Sequence, residues 1–172
     1  HVGELKDMGF KLVKVASYDC SSFRMIKDLS KKFRKIIIST GATYDNEIKF
    51  TSEILKNKFF VLLHCVSIYP TPLNFLNLSR INFLKKFSKY VGYSDHSLSI
   101  GNNRNLACKA AIIFGASYLE RHVTILDHDK TKDGIVSIRP KDIKEITDFQ
   151  FLSRKDQILY LSDRYKINLR HL

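Results

Sequence analysis

Five short apolar runs rich in β-branched and aromatic residues recur along the chain: LVKVA (12–16), IIIS (36–39), FFVLLHC (59–65), YVGY (90–93) and YLER (118–121). Their first residues lie 24, 23, 31 and 28 positions apart. That is the length of a strand plus a crossover helix. Strands that read as continuous apolar runs, without polar alternation, belong to a parallel sheet covered by helices, so the fold class is α/β. The intervening segments carry helical stripes. Ser22 is placed to cap a helix with Ile26, Leu29 and Phe33 on one side, and Asp45 to cap one presenting Ile48, Ile54 and Leu55. A third helix has a narrow inner face of Leu106, Ala107, Ala110, Ala111 and Phe114, whose small residues let it lie close on a sheet, with Gly115 as its stop. Pro140 suits the first turn of a helix holding Ile143 and Ile146.

Such units build either an open doubly wound sheet or a (β/α)8 barrel. No GxGxxG or GxxxxGK[ST] loop is present, which removes the usual phosphate fingerprint of the open nucleotide-binding folds. Ser17, Ser39 with Thr40, His64, Ser94 with His96, and His122 all fall where a strand finishes. Barrel enzymes gather their chemistry on that C-terminal face, so the barrel is favoured. A closed barrel needs eight units and about 250 residues, whereas five units are visible in these 172 residues. The first ten residues read as the end of a helix, with Val2, Leu5 and Met8 spaced by three and Gly9 in the stop position. The expectation is a partial (β/α)8 TIM barrel made of strands four to eight with their helices, the first three βα units being absent. Residues 1–150 form this partial barrel and 151–172 a basic helical tail.

Net charge is +12, which raises nucleic acid as a partner. The lysines, however, sit in KKFRK (31–35), LKKFSK (84–89) and singly along the helices, where solvated outer faces account for them. No helix-turn-helix, RNP or KH pattern accompanies the charge, so no nucleic-acid partner is expected. A small anionic substrate gains from the same field. No apolar run approaches the roughly 18 residues of a membrane span, and HVGELKDMGF lacks the form of a signal peptide. A soluble cytoplasmic protein without a membrane partner is the expectation. Cys20, Cys65 and Cys108 are odd in number without CxxC spacing, which suggests neither a disulfide framework nor a zinc-thiolate site.

The chemistry-bearing residues each admit two readings. His96 and His122, at the mouths of neighbouring strands, form either a divalent-metal site with open positions, oriented from behind by Asp95 and Glu120, or a structural pair of half-buried imidazoles. His64 follows FFVLL directly and is read as a donor to a backbone carbonyl. Lys14 interrupts LVKVA, and a buried ammonium is costly unless paired. Beside the hydroxyls of Ser17, Ser39, Thr40 and Ser94 it makes a phosphate or carboxylate pocket; alternatively it is an edge residue. Tyr69, in a loop stiffened by two prolines, either overhangs a sugar or planar acid or packs the loop. Asp133, in DHDKTKDGIVS (127–137), either accepts from a substrate hydroxyl or is a solvated turn residue.

KVAS (14–17), STGA (39–42), HCVSIYPTP (64–72), GYSDHS (92–97) and LERHVT (119–124), followed by KDGIVS (132–137), resemble the sialic acid synthase family in order and spacing. That family comprises the N-acetylneuraminate synthases and their legionaminic and pseudaminic acid relatives. The resemblance covers about residues 3 to 150 and implies a transferase that condenses phosphoenolpyruvate with an N-acetylmannosamine-like sugar, giving a nine-carbon 2-keto sugar acid and phosphate. It implies His96 and His122 as ligands of manganese or magnesium, and Lys14, Ser17, Ser39 and Ser94 as phosphoenolpyruvate contacts. Ser67 falls where members carry Asn or Ser. Tyr69, Glu120 and Asp133 match the sugar side, with Glu120 the candidate for proton transfer beside the metal ligand His122. Family members usually carry a C-terminal antifreeze-protein-like domain, and the tail here is too small for one. The implied partners are the two substrates, a second copy of the chain, or a segment that supplies the first three units. The other reading is a noncatalytic remnant or basic binding module that keeps the fold.

Overall fold

The computed structural model describes residues 2–165. Its strands are β1 (Leu12–Val15), β2 (Lys35–Ser39), β3 (Phe59–Cys65), β4 (Tyr90–Asp95) and β5 (Tyr118–Arg121), all parallel and ordered β1-β2-β3-β4-β5. Each strand pairs with its predecessor. A doubly wound sheet would reverse direction at a switch point; this one does not, and it curls as a half-barrel. The helices are α1 (Val2–Asp7), α2 (Phe23–Lys32), α3 (Asp45–Leu55), α4 (Arg80–Leu84), α5 (Leu106–Ile113), α6 (Pro140–Gln150) and α7 (Arg154–Tyr165).

Strand alternation divides the side chains between two faces. On the outer face Ile36, Ile38, Phe60, Leu62, Val91 and Tyr93 meet Ile26, Leu29 and Phe33 of the α2 region, Ile48 and Leu55 of α3, Ile81 and Leu84 of α4, and Ala107 and Ala111 of α5. This is the core. On the inner face the register aligns Cys65, Ser94 and Glu120 in one row across β3, β4 and β5, with Ser39 opposite Leu63 a step behind. Gly92 lies on this face because nothing larger fits: a Cβ there would stand 2.3 Å from the Tyr118 carbonyl oxygen and 2.5 Å from the Leu63 side chain.

Local signals were followed with three corrections. The Ser22 hydroxyl precedes α2 but donates to Asp19, 3.2 Å away, so it closes a turn and leaves the helix uncapped by its side chain. Asp45 is the first residue of α3; Tyr44 is the N-cap, its N–H donating to Glu47 Oε2 at 2.8 Å. In α6 Pro140 occupies the first turn and Ile146 is buried, but Ile143 is exposed. Gly115 does stop α5: at φ +86° it lets the Ala116 N–H reach back to the Ala111 carbonyl at 2.9 Å.

The fully buried ammonium of Lys109 on α5 pairs with Glu145 of α6 and donates to the Tyr160 hydroxyl of α7 at 2.8 Å. Leu161 of α7 packs with Leu106, Ile113 and Phe149. The helical tail expected over 151–172 is represented by α7, and its residues 166–172 lie outside the described residues. All three cysteines are free and buried. No helix among the described residues is long and apolar enough to cross a membrane.

Candidate functional site

A cavity of about 570 Å3 opens at the C-terminal ends of the strands, and its walls include Lys14, Ser17, Ser39, Ser67, Tyr69, Ser94, His96, Glu120 and His122. These come from all five strands or the loops that follow them. Of the residues the resemblance implicates, only Asp133 stands outside this wall; it approaches from the rim, with its Oδ2 3.9 Å from His122 Nδ1. Thr40, grouped with the serines by sequence, turns away from it: its Oγ1 donates to the Leu63 carbonyl at 3.0 Å and it lines the adjoining cleft. A larger cleft of about 1130 Å3 adjoins across Cys65 and Ser67. Its charged pair, Arg80 and Asp45, lies at 2.6 Å, whereas the two imidazoles and an unpartnered Ser39 hydroxyl line the smaller cavity.

Lys14 projects from β1 across the curled interior to Glu120 on β5, Nζ to Oε1 at 3.1 Å. Ser94 Oγ donates to the same carboxylate oxygen at 2.7 Å. The Lys14 side chain is 36% exposed, so it carries a partly open charge at a cavity wall and not the sealed one its apolar flanks suggest. Ser39 Oγ is buried and has no hydrogen-bond partner, an orphaned hydroxyl on the cavity wall. Ser17 Oγ accepts from the Gly41 N–H at 3.1 Å and lies 3.1 Å from Cys65 Sγ. A Cβ on Gly41 would sit 2.6 Å from both Cys65 Sγ and Ser67 Oγ, so the glycine keeps this corner open.

The two imidazoles meet edge to face, with ring centroids 5.7 Å apart. His96 Nδ1 lies 3.0 Å from the Val66 carbonyl, which can only accept, so Nδ1 carries the proton. Nε2 therefore bears the lone pair and receives the Tyr69 O–H at 2.7 Å. Tyr69 also stacks on the ring at 4.0 Å between centroids. Burial lowers the His96 pKa below its ordinary value of 6.5, which keeps the ring neutral, and Nε2 can ligate once the Tyr69 hydroxyl releases it. Desolvation raises the Tyr69 pKa, so its hydroxyl stays protonated.

Imidazole donors suit a divalent first-row ion, whereas the harder magnesium prefers oxygen, so further positions would fall to oxygen ligands. Among the described residues no group of three or more His, Cys, Asp or Glu converges on one point. The arrangement is thus an open one: His96 and His122, with Glu120 on the same wall and space for water or substrate.

Two expected partners turn elsewhere. Asp95 does not orient a histidine. It lies on the outer face, fully buried, paired with Arg121 at 2.8 Å and receiving the Ser97 N–H at 2.8 Å and the Cys108 thiol at 3.2 Å. Glu120 holds Lys14 and Ser94. His64 behaves as its position implied, its Nε2 donating to the Leu76 carbonyl at 2.7 Å. Sequence reasoning passed over Gly41 and Cys65 as site residues, although the glycine of STGA directly behind a strand end was a visible sign of close approach.

A model of the NeuB family matches residues 1–152. The chain is similar to the N,N'-diacetyllegionaminic acid synthase of Campylobacter jejuni, 33% identical over 81% of this chain and 42% of that protein. It is similar to the human N-acetylneuraminate-9-phosphate synthase at 31% over 83% of this chain and 39% of that one. Among solved structures, the N-acetylneuraminic acid synthetase of Leptospira borgpetersenii, crystallised with citrate, superposes with a TM-score of 0.75 at 26% identity, covering 99% of this chain and 62% of that one. The chain spans about two fifths of the length of the curated relatives it matches.

Proposed function

The chain belongs to the NeuB family, and on that premise we propose that it supplies the C-terminal five βα units, strands four to eight, of a synthase that joins phosphoenolpyruvate to an N-acyl sugar aldehyde. The observation that carries the reading is the convergence on one cavity of an ammonium, four serine hydroxyls and two imidazoles. An enol phosphate bearing a carboxylate needs the first set; a carbonyl electrophile needs the second.

In this reading Lys14 and the hydroxyls of Ser17, Ser39 and Ser94 hold the anionic groups of phosphoenolpyruvate, with Ser67 beside them, and the orphaned Ser39 hydroxyl gains the partner it lacks. His96 and His122 hold a manganese or magnesium ion, which when bound supplies Lewis-acid polarisation of the sugar's aldehyde oxygen. Tyr69 and Asp133 bind the sugar from the rim. The enol carbon forms the new C–C bond to the aldehyde carbon. Water adds to the resulting cationic centre, and the C–O bond to phosphate breaks, leaving the 2-keto acid and inorganic phosphate. Glu120 handles the proton at the former aldehyde oxygen. The reaction belongs in the cytoplasm, where phosphoenolpyruvate is made.

The outer edges of β1 and β5 carry no partner strand among the described residues. Edges of this kind invite pairing. We therefore place three further βα units against them, in the same polypeptide or a complementing one, with a homodimer as the alternative source of cover. The assay is phosphate release from phosphoenolpyruvate with N-acetylmannosamine and related N-acyl sugars, plus manganese, with and without a co-expressed segment carrying three βα units. Metal-dependent turnover that appears on complementation and is lost in His96→Ala supports the reading. Turnover indifferent to chelator and to His96→Ala, or none under any pairing, removes it.

A further inference from the structure

The Lys14–Glu120 pair has an unusual position for a salt bridge. It joins β1 to β5, the first and last strands of the sheet, and so runs across the cavity and not along its wall. Both side chains line the cavity and are about one-third exposed, at 36% and 35%. Pairs so open to water contribute only about 0–1 kcal/mol. Oε1 of Glu120 receives both the Lys14 ammonium and the Ser94 hydroxyl, two of the groups an anionic ligand would use. Glu120 thus stands where such a ligand must bind.

Alternation on the strands supplies the second observation. Glu120 and His122 are two apart on β5 and its extension, and Ser94 and His96 two apart on β4 and its extension; all four line the same cavity. A carboxylate expelled from Lys14 has the imidazole pair as its neighbour along the same strand.

Resting on the substrate reading above, we propose that Glu120 is an internal counter-ion for Lys14, that an anionic substrate displaces it, and that the displaced carboxylate strengthens cation binding at His96 and His122. A ligand carrying both phosphate and carboxylate brings more negative charge to Lys14 than one carboxylate does, so exchange is favourable. The charge that leaves Lys14 is delivered to the imidazoles. Anion and divalent cation then reinforce each other, and by linkage each raises the other's affinity by the same factor.

The test is calorimetric titration of the 172-residue chain with phosphoenolpyruvate, in chelator and in saturating manganese, for the parent and Glu120→Gln. Glutamine keeps the shape and still accepts from Ser94, so the fold is preserved. In chelator the variant is expected to bind phosphoenolpyruvate about three- to tenfold more tightly, a gain of roughly 0.7–1.4 kcal/mol. Manganese should tighten binding to the parent by a similar factor and leave the variant unchanged. A second reading comes from the parent alone: the 13C resonance of the Glu120 carboxyl should shift when phosphoenolpyruvate is added in chelator. Equal affinity in parent and variant, or reinforcement by manganese that survives in Glu120→Gln, overturns the counter-ion role while leaving the substrate reading standing. Absence of binding to either protein, alone and with the complementing segment of three βα units, removes the substrate reading, and this inference with it.

Discussion

Strands β4 and β5 carry two ion-bearing pairs at successive register positions, Ser94 opposite Glu120 and Asp95 opposite Arg121. One residue of offset sends them to opposite faces. The inner charges are Lys14 with Glu120, about one-third exposed. The outer ones are Arg121 with Asp95, 6% and 0% exposed, sealed under α5 and surrounded by Ser97, Cys108 and Tyr93. Arg121 also donates to the Ser97 and Arg104 carbonyls at 3.0 and 3.2 Å. The outer pair is locked because neither charge has water to return to. The inner pair is exchangeable because both do. The same two strands thus provide a structural clamp on one side and a ligand-responsive contact on the other.

The largest expected effect comes from breaking the sealed pair. Asp95→Ala strands the Arg121 guanidinium and should cost about 3–5 kcal/mol, read as a fall in the urea midpoint. Next is Gly92→Ala, which drives a methyl into the Tyr118 carbonyl and the Leu63 side chain; it should cost roughly 1–3 kcal/mol by the same measurement. Lowering pH acts more gently. Burial lowers the His64 pKa below 6.5, so the unfolded chain binds the proton more readily. Stability contributed by the neutral ring is present above the unfolded pKa, and falls as pH drops through about 6.5 toward the folded value. His64→Gln should blunt that decline in a series of thermal melts. Smallest is Glu120→Gln, for which the half-exposed pair predicts a change below about 1 kcal/mol. A loss as large as that of Asp95→Ala would erase the distinction between the two faces.

The strands were legible because parallel strands covered by helices write themselves as short, mainly apolar runs, and all five runs became strands. The histidines and Lys14 were legible for a related reason, since polar residues inside or directly behind such runs have few places to go. The direction of Asp95 was not. The run YVGY ends at Tyr93 but β4 continues through Asp95, and only that extension fixes the alternation that sends Ser94 inward and Asp95 outward. Helix α4, five residues long, is too short to show a periodic stripe. The Lys109–Glu145–Tyr160 anchor joins residues far apart in sequence, and nothing near Lys109 announces its partners. The glycine of STGA signals a close approach, but that Cys65 and Ser67 are what approach Gly41 follows only from the fold.

The central claim is that the inner face is an anion site organised by Lys14. The most direct measurement is the affinity of the chain for phosphoenolpyruvate before and after Lys14→Met, alongside the thermal midpoint of each. The account predicts binding by the parent, weakening of about tenfold or more in the variant, equivalent to roughly 1.4 kcal/mol, and midpoints that stay close together. Equal affinity in the two proteins, or a variant that loses stability while its ligand binding is untouched, would contradict it and make Lys14 a structural residue.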